Sequence, residues 1–332
     1  MRSFTSTKDE VLSFSKKNPM YVILLIMIIA MSMGVKNFLT FGNLLNVLIA
    51  ESTRGILALG VGVVIITKGI DLSVGSIVAL SSVLSASLVQ DPNYVAKLLP
   101  GIGVLPAWVA FIVGLMAGVL IGAFSGYLVA YKKVPPFVAT LGTQVIARGL
   151  SYVYTNAYPV SNLSNEFRIL GQGKIGGISY LVILLAVLCF VTGIILHKTA
   201  FGKTLYAIGG NENSARIAGV RVEKNTMLAY TFSGALAGLV GIMLASRSGA
   251  GSASLGTGYE LDAIAAATIG GVSQSGGVGA IGGIIVGIFI LGFMNNGLLL
   301  LGVSPYIQQI LKGVIIILAV IIDSAEQSKK FR

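Results

Sequence analysis

Seven polar side chains stand inside otherwise apolar stretches and are the first places to look for chemistry: Glu51, Arg54, Gln144, Arg148, Asn295, Asn296 and Lys312. Their types bound what they can do. Glu51 and Arg54 are three residues apart, which puts both on one helix face, where they can simply pair with one another. Glu51 is also the carboxylate set deepest in an apolar run, the kind of group that a proton-linked transfer would titrate. Gln144, Asn295 and Asn296 each donate and accept without carrying charge. Such groups suit a polyhydroxylated solute, and equally suit hydrogen bonds between helices. Glu260 and Asp262 open a later apolar stretch, where they can pair internally or help to seat a partner.

Covalent and metal chemistry finds little support. The single His197 lies at the end of an apolar run beside Lys198, which excludes a multi-histidine zinc site. The single Cys189 excludes an intramolecular disulfide and a cysteine cluster. A Ser/His/Asp arrangement has no histidine to use. Gly277, Gly279 and Gly282 fit a GxGxxG spacing but follow no strand pattern, and Gly202-Lys203-Thr204 resembles the end of a phosphate-binding loop whose first glycine position holds His197. The chain carries no nucleotide site of its own, and catalysis is not indicated.

Two polar breaks interrupt the apolar pattern. GIDLSVGSI at 69–77 sets Asp71 and Ser73 between Gly69 and Gly75, and GGVSQSGGVG at 270–279 contains Ser273, Gln274 and Ser275. Interrupted segments of this kind line cavities or form tight turns between helices, since unpaired backbone cannot face lipid.

The elements that must position these residues are membrane helices. Hydrophobic residues make up 55 % of the 332 and charged residues 11 %, against about 25 % charged in ordinary soluble domains. Apolar runs long enough for a bilayer core of roughly 30 Å recur along the chain. Ten spans are expected, at about 20–35, 44–67, 72–89, 106–131, 136–155, 180–197, 226–246, 260–275, 279–300 and 307–323, with the eighth short and glycine-rich and therefore open to being broken or re-entrant. With the N-terminus inside, fifteen of the 23 basic residues fall in cytoplasmic segments and five outside, so both termini are expected in the cytoplasm. The net charge of +11 then reflects juxtamembrane clusters facing anionic lipid, with no need of nucleic acid. The organisation expected is a cytoplasmic segment at 1–18, a transmembrane domain at 19–324 and a cytoplasmic tail at 325–332.

Glycine stripes accompany the spans: Gly114, Gly118, Gly122 and Gly126; Gly234 and Gly238; Gly279, Gly283 and Gly287. They predict close helix packing within the chain or, alternatively, a seam between two copies.

One polar segment, 198–225, is exceptional. Lys198, Lys203, Arg216, Arg221 and Lys224 place it on the cytoplasmic face, and within it a short helix is expected, capped by Asn211 or Asn213 and ended by Gly219. A short helix held outside the bilayer between two spans is a surface for a partner.

Several stretches resemble the permease subunits of bacterial monosaccharide ATP-binding-cassette importers, the ribose, galactose/methyl galactoside and xylose permease family. They are GIDLSVGSIVAL (69–80), PPFVATLGT (135–143), FGKTLYAIGGN (201–211), TGYELDAIAA (257–266), GGVSQSGGVGAIGG (270–283) and ILKGVIIILAVIIDS (310–324). The resemblance implies an all-α polytopic protein of the bacterial cytoplasmic (inner) membrane with one cytoplasmic coupling helix of pattern EAAxxxG. Asn213, Ser214, Ala215, Arg216 and Gly219 lie on that pattern, with Asn for its Glu and Ser for its first Ala, and Glu212 stands one position early beside Gly210. It also implies partners: a cytoplasmic ATPase that uses ATP and Mg, an extracytoplasmic sugar-binding protein, and a second permease chain. The function expected is import of a ribose- or galactose-type aldose by alternating access, with Asp71, Ser73, Gln144, Asn295 and Asn296 as pathway candidates and Glu51, Arg54, Glu260 and Asp262 as structural polar groups. An ion- or proton-coupled carrier is the alternative.

Overall fold

Helices form nearly all the regular structure of residues 19–330, which the computed structural model describes. The segment 1–18 and Arg332, used above in reading orientation, lie outside the described residues. From the N-terminal side come α1 (Pro19–Gly34), α2 (Phe41–Ile66), α3 (Val74–Leu88), α4 (Ala107–Ala130), α5 (Pro136–Thr155) and the short α6 (Asn165–Gln172). They are followed by α7 (Tyr180–Lys198), α8 (Ala200–Gly210), α9 (Glu212–Ile217), α10 (Val222–Ser248), α11 (Tyr259–Ile269), α12 (Ile281–Leu300) and α13 (Pro305–Lys330). Helices α2, α4, α7, α10 and α12 are long and apolar enough to cross a bilayer, and shorter apolar helices cover Met20–Gly34, Val74–Leu88 and Pro305–Leu318. The chain is a helical membrane protein. Helix α13 continues without a break past residue 324, where a tail was expected to begin.

Helix α10 is the hub, packed against α2, α3 and α4. Lipid supplies no hydrophobic drive between helices, so the packing relies on close backbone approach. The glycine stripe of α4 provides it. A Cβ on Gly122 would stand 2.5 Å from the Tyr230 carbonyl and one on Gly126 2.8 Å from the Met227 carbonyl, while Gly118 meets Gly234 and Gly238. The Ser81 hydroxyl of α3 sits between the carbonyls of Gly114 (2.8 Å) and Gly238 (2.7 Å), tying the three helices together. Gly283 and Gly287 of α12 abut Gly270 and Ala266. All three stripes are occupied within the chain, as the intramolecular reading expected.

The stretch between α5 and α7 carries regular structure of its own. Two-residue strands β1 (Val160–Ser161) and β4 (Ala250–Gly251) pair antiparallel, as do β2 (Lys174–Ile175) and β3 (Ile178–Ser179). Helix α6 buries Phe167 and sets Gly171 against the end of α10, where the Ser246 hydroxyl donates to the Phe167 carbonyl at 2.6 Å.

The eighth span takes its broken form. Gly249, with φ +73, ends α10. The chain then runs back along α3, with Gly251 against the Ser82 carbonyl and Gly256 against Gly75 and Val78. The Arg148 guanidinium pins this non-helical stretch by donating to the carbonyls of Ala253 (2.6 Å) and Leu255 (2.8 Å). Helix α11 begins only at Tyr259 and lasts 11 residues, about 16 Å at 1.5 Å per residue, roughly half a bilayer core. The span expected over 260–275 is therefore a half-helix ending at Ile269 followed by a turn, because Gly271, Gly276 and Gly277 take positive φ and reverse the chain.

Candidate functional site

Four charged side chains from three helices meet where α11 begins. On α2, Arg54 Nη1 pairs with Glu51 Oε1 at 2.6 Å, the one-turn pairing the spacing allowed. Arg54 Nε also faces Asp262 Oδ2 of α11 at 3.2 Å, off the line a hydrogen bond needs. Lys312 of α13 reaches the other oxygen of Asp262 at 2.5 Å. Both carboxylates are buried, and Arg54 is a quarter exposed (27 %). The four charges cancel, which is how buried ions are tolerated. Arg54 also lies over the Tyr259 ring, 5.2 Å from its centre. Asp262 thus joins an internal network. Glu260 is likewise buried: its Oε1 accepts from Gln144 Nε2 at 3.2 Å, and its Oε2 lies tight against Gly75.

A cavity of about 500 Å³ adjoins this network, between α2, α12 and α13, within the roughly 300–1,000 Å³ common for small-ligand sites. Glu51, Arg54 and Lys312 line it together with Asn295 and Asn296. Asn296 exchanges two hydrogen bonds with Asn43 (2.8 and 2.9 Å). The Oδ1 of Asn295 is buried with no hydrogen-bond partner among the described residues. Asn46, Gln308 and Gln309 also line the cavity and were missed in the sequence. A usable signal was present: Asn43, Asn46 and Arg54 fall on one face of α2, and Gln308 and Lys312 are one turn apart on α13.

Asp71 and Ser73 are elsewhere. Asp71 is fully buried and accepts from the Ser73 amide (3.0 Å), the Ser73 hydroxyl (2.6 Å) and the Ser233 hydroxyl (2.7 Å). Ser233 packs on Gly60, six residues before the end of α2 at Ile66, so the break climbs about 9 Å back along that helix. Its carboxylate braces the turn into α3 and touches α10.

At the end of the bundle holding Ile66, α8 and α9 form the polar surface. Asn211 caps α9, its side chain accepting from the Ser214 amide at 2.9 Å, and Gly219 takes φ +84 just beyond the helix. Ala215 is buried with Ile208 and Val222, whereas Ile217 is 88 % exposed. Arg216 pairs with Glu212 (3.1 Å) and Glu223 (2.6 Å), and Lys133 approaches both carboxylates. The hydrogen bond from Arg216 holds the Glu223 carboxyl down at about 2. Glu212 thus makes an ion pair within the chain.

This surface is mechanically joined to the network. The Gly277 amide donates to the Ile66 carbonyl at 2.9 Å, Gly209 packs on both, and the Tyr206 hydroxyl donates to Gly279 at 2.8 Å. The 270–280 turn therefore connects α8 to the ends of α2, α11 and α12, and α2 and α11 carry the paired charges.

A family of transporters described as "branched-chain amino acid transport system / permease component" matches residues 43–320. The chain belongs to this permease family. Individual relatives match nearly end to end. The permease is 39 % identical over 330 residues to a galactose/methyl galactoside import permease of Haemophilus influenzae, covering 97 % of this chain and 98 % of the relative. It is 42 % identical over 310 residues to a ribose import permease of Escherichia coli K12 (92 % and 93 %), and 41 % identical over 302 residues to one of Bacillus subtilis (90 % of each). No solved structure matches. The permease is a transport component rather than an enzyme.

Proposed function

We propose that the permease forms the membrane passage of an ATP-binding-cassette importer for a monosaccharide of ribose or galactose type, in the bacterial cytoplasmic (inner) membrane. The observation that carries this reading is near end-to-end similarity to ribose and galactose permeases. The family description names amino acids. A zwitterionic solute would call for unpaired charges of both signs, whereas the one carboxylate lining this cavity, Glu51, is paired with Arg54, and neutral amides accompany them.

In this reading both termini are cytoplasmic, ten segments are membrane-embedded, and residues 19–324 are the permease domain with 198–225 as its coupling loop. Residues Gly210, Glu212, Asn213, Ser214, Ala215, Arg216 and Gly219 form or border the surface that docks a separate ATPase, which uses ATP and Mg. The exposed Ile217 gives that surface an apolar knob. An extracytoplasmic sugar-binding protein delivers solute, and a second copy of the permease completes the passage. Closure of the ATPase moves α8 and α9, and the 270–280 turn passes the motion to α2, α11 and α12 for alternating access. Gln144, Asn295 and Asn296 are pathway groups, Asp71 and Ser73 brace the turn beside it, and Glu51, Arg54, Glu260 and Asp262 hold the half-helix in place.

Uptake by cells lacking other aldose importers, with intact permease and with Gly219→Arg, tests this. A side chain at φ +84 strains the end of α9, and the spans are untouched. Loss of uptake at normal membrane abundance is expected; unchanged uptake would place the coupling surface elsewhere.

A further inference from the structure

We infer that the cavity between α2, α12 and α13 is a solute-binding station for an uncharged polyol, with an amide wall that reads hydroxyl groups and a charge-neutral floor. This rests on the import reading above and assigns the solute to particular residues.

Arg54 and Lys312 are 27 % and 21 % exposed at the cavity. A charge facing lipid at mid-helix costs about 2.5–3.5 kcal/mol, and amides facing lipid are also penalised. A face with two cations and several amides is therefore a wet face. Its volume of about 500 Å³ leaves room for a small solute.

Asn46, Asn295, Gln308 and Gln309 bring neutral amides to the cavity. An amide offers a donor and an acceptor side by side, the complement of a hydroxyl that does both. Asn296 is engaged with Asn43 and steadies the wall.

Glu51, Arg54, Asp262 and Lys312 neutralise one another. Rings of like-charged side chains are one device of ion pathways; these four residues form none. Arg247, a further cation of the lining, donates to the Ile49 carbonyl at 3.4 Å. The same four charges tie the start of α11 to α2 and α13, so the station and the half-helix move together.

The test modifies the folded transporter, so that folding is not at issue. In a Cys189→Ser background, Gln309→Cys places a thiol on the cavity lining, and Tyr306→Cys places one on an exposed position outside the lining. Each is assembled with its ATPase and sugar-binding protein in proteoliposomes and treated with a bulky, charged methanethiosulfonate, with labelling followed by mass. Labelled Gln309→Cys should lose ribose or galactose uptake to background and regain it with reductant, while labelled Tyr306→Cys transports as before. Full uptake by labelled Gln309→Cys would overturn the station, as would failure of the water-borne reagent to reach position 309. Absence of sugar uptake in the unsubstituted assembly would instead overturn the import reading.

Discussion

Arg54 of α2 and Asp262 of α11 face each other at 3.2 Å and join a full-length helix to a half-helix that begins partway along it. Lys312 holds the second oxygen of Asp262, so α13 is fastened to the same carboxylate. Removing the shared carboxylate leaves the half-buried Lys312 without an ion pair among the described residues and Arg54 with Glu51 alone. Asp262→Asn should therefore lower stability by about 3 kcal/mol, at the low end for breaking a buried pair because both cations keep some solvent. Adding Lys312→Met should recover part of that loss. Unfolding in detergent of the two single variants and the double variant gives the coupling directly, and strict additivity would contradict the shared network.

The glycine stripe of α4 should respond by position. At Gly118 an added methyl group meets the backbone of Gly234 and Gly238, which cannot swing aside. Gly118→Ala should cost about 1–3 kcal/mol. Among the described residues nothing lies within 4 Å of a Cβ added at Gly142 of α5, so Gly142→Ala should be neutral or stabilise by up to about 1 kcal/mol through helix propensity. Melting temperatures of the two variants, compared with the parent, decide the matter.

Protonation should loosen the coupling loop only in strong acid. The Glu223 carboxyl is lowered from 4.5 to about 2 by its hydrogen bond from Arg216. A lowered carboxylate contributes stability that is present above the unfolded value and lost as pH falls through the folded one. The Arg216–Glu223 tie should therefore hold through pH 5–8 and weaken between about 4.5 and 2. Hydrogen exchange across 212–223 checks this: protection should persist to about pH 3, and Arg216→Gln should move its loss up toward 4.5. An unchanged profile in Arg216→Gln would show that the pair does not hold the loop.

Much of this was legible in the sequence because it rests on short-range rules. Asn211 and Gly219 bracket α9 as capping chemistry requires, and the one-turn spacing of Glu51 and Arg54 gave their pairing. The four-residue glycine period pointed to a close contact along α4, though its partner, α10, needed the structure. What escaped depends on residues far apart in the chain. Nothing near Asp262 announces that Arg54 and Lys312 will share it. The non-helical run at 249–258 owes its place to Arg148 and to small residues of α3. Asp71 stood in a visible break, yet its depth is set by Ser233 and Gly60 across the bundle. Asn46, Gln308 and Gln309 read as ordinary helix-end polar residues until three helices close around one cavity.

The central claim is ATP-driven passage of a monosaccharide, and reconstitution tests it most directly. The permease, with its ATPase and sugar-binding protein, is placed in vesicles, and labelled ribose and galactose uptake is followed with and without ATP at the ATPase face while ion gradients are set independently. The account predicts accumulation of one of the two sugars that requires ATP and survives collapse of proton and sodium gradients. Accumulation driven by either gradient in the absence of ATP would contradict it.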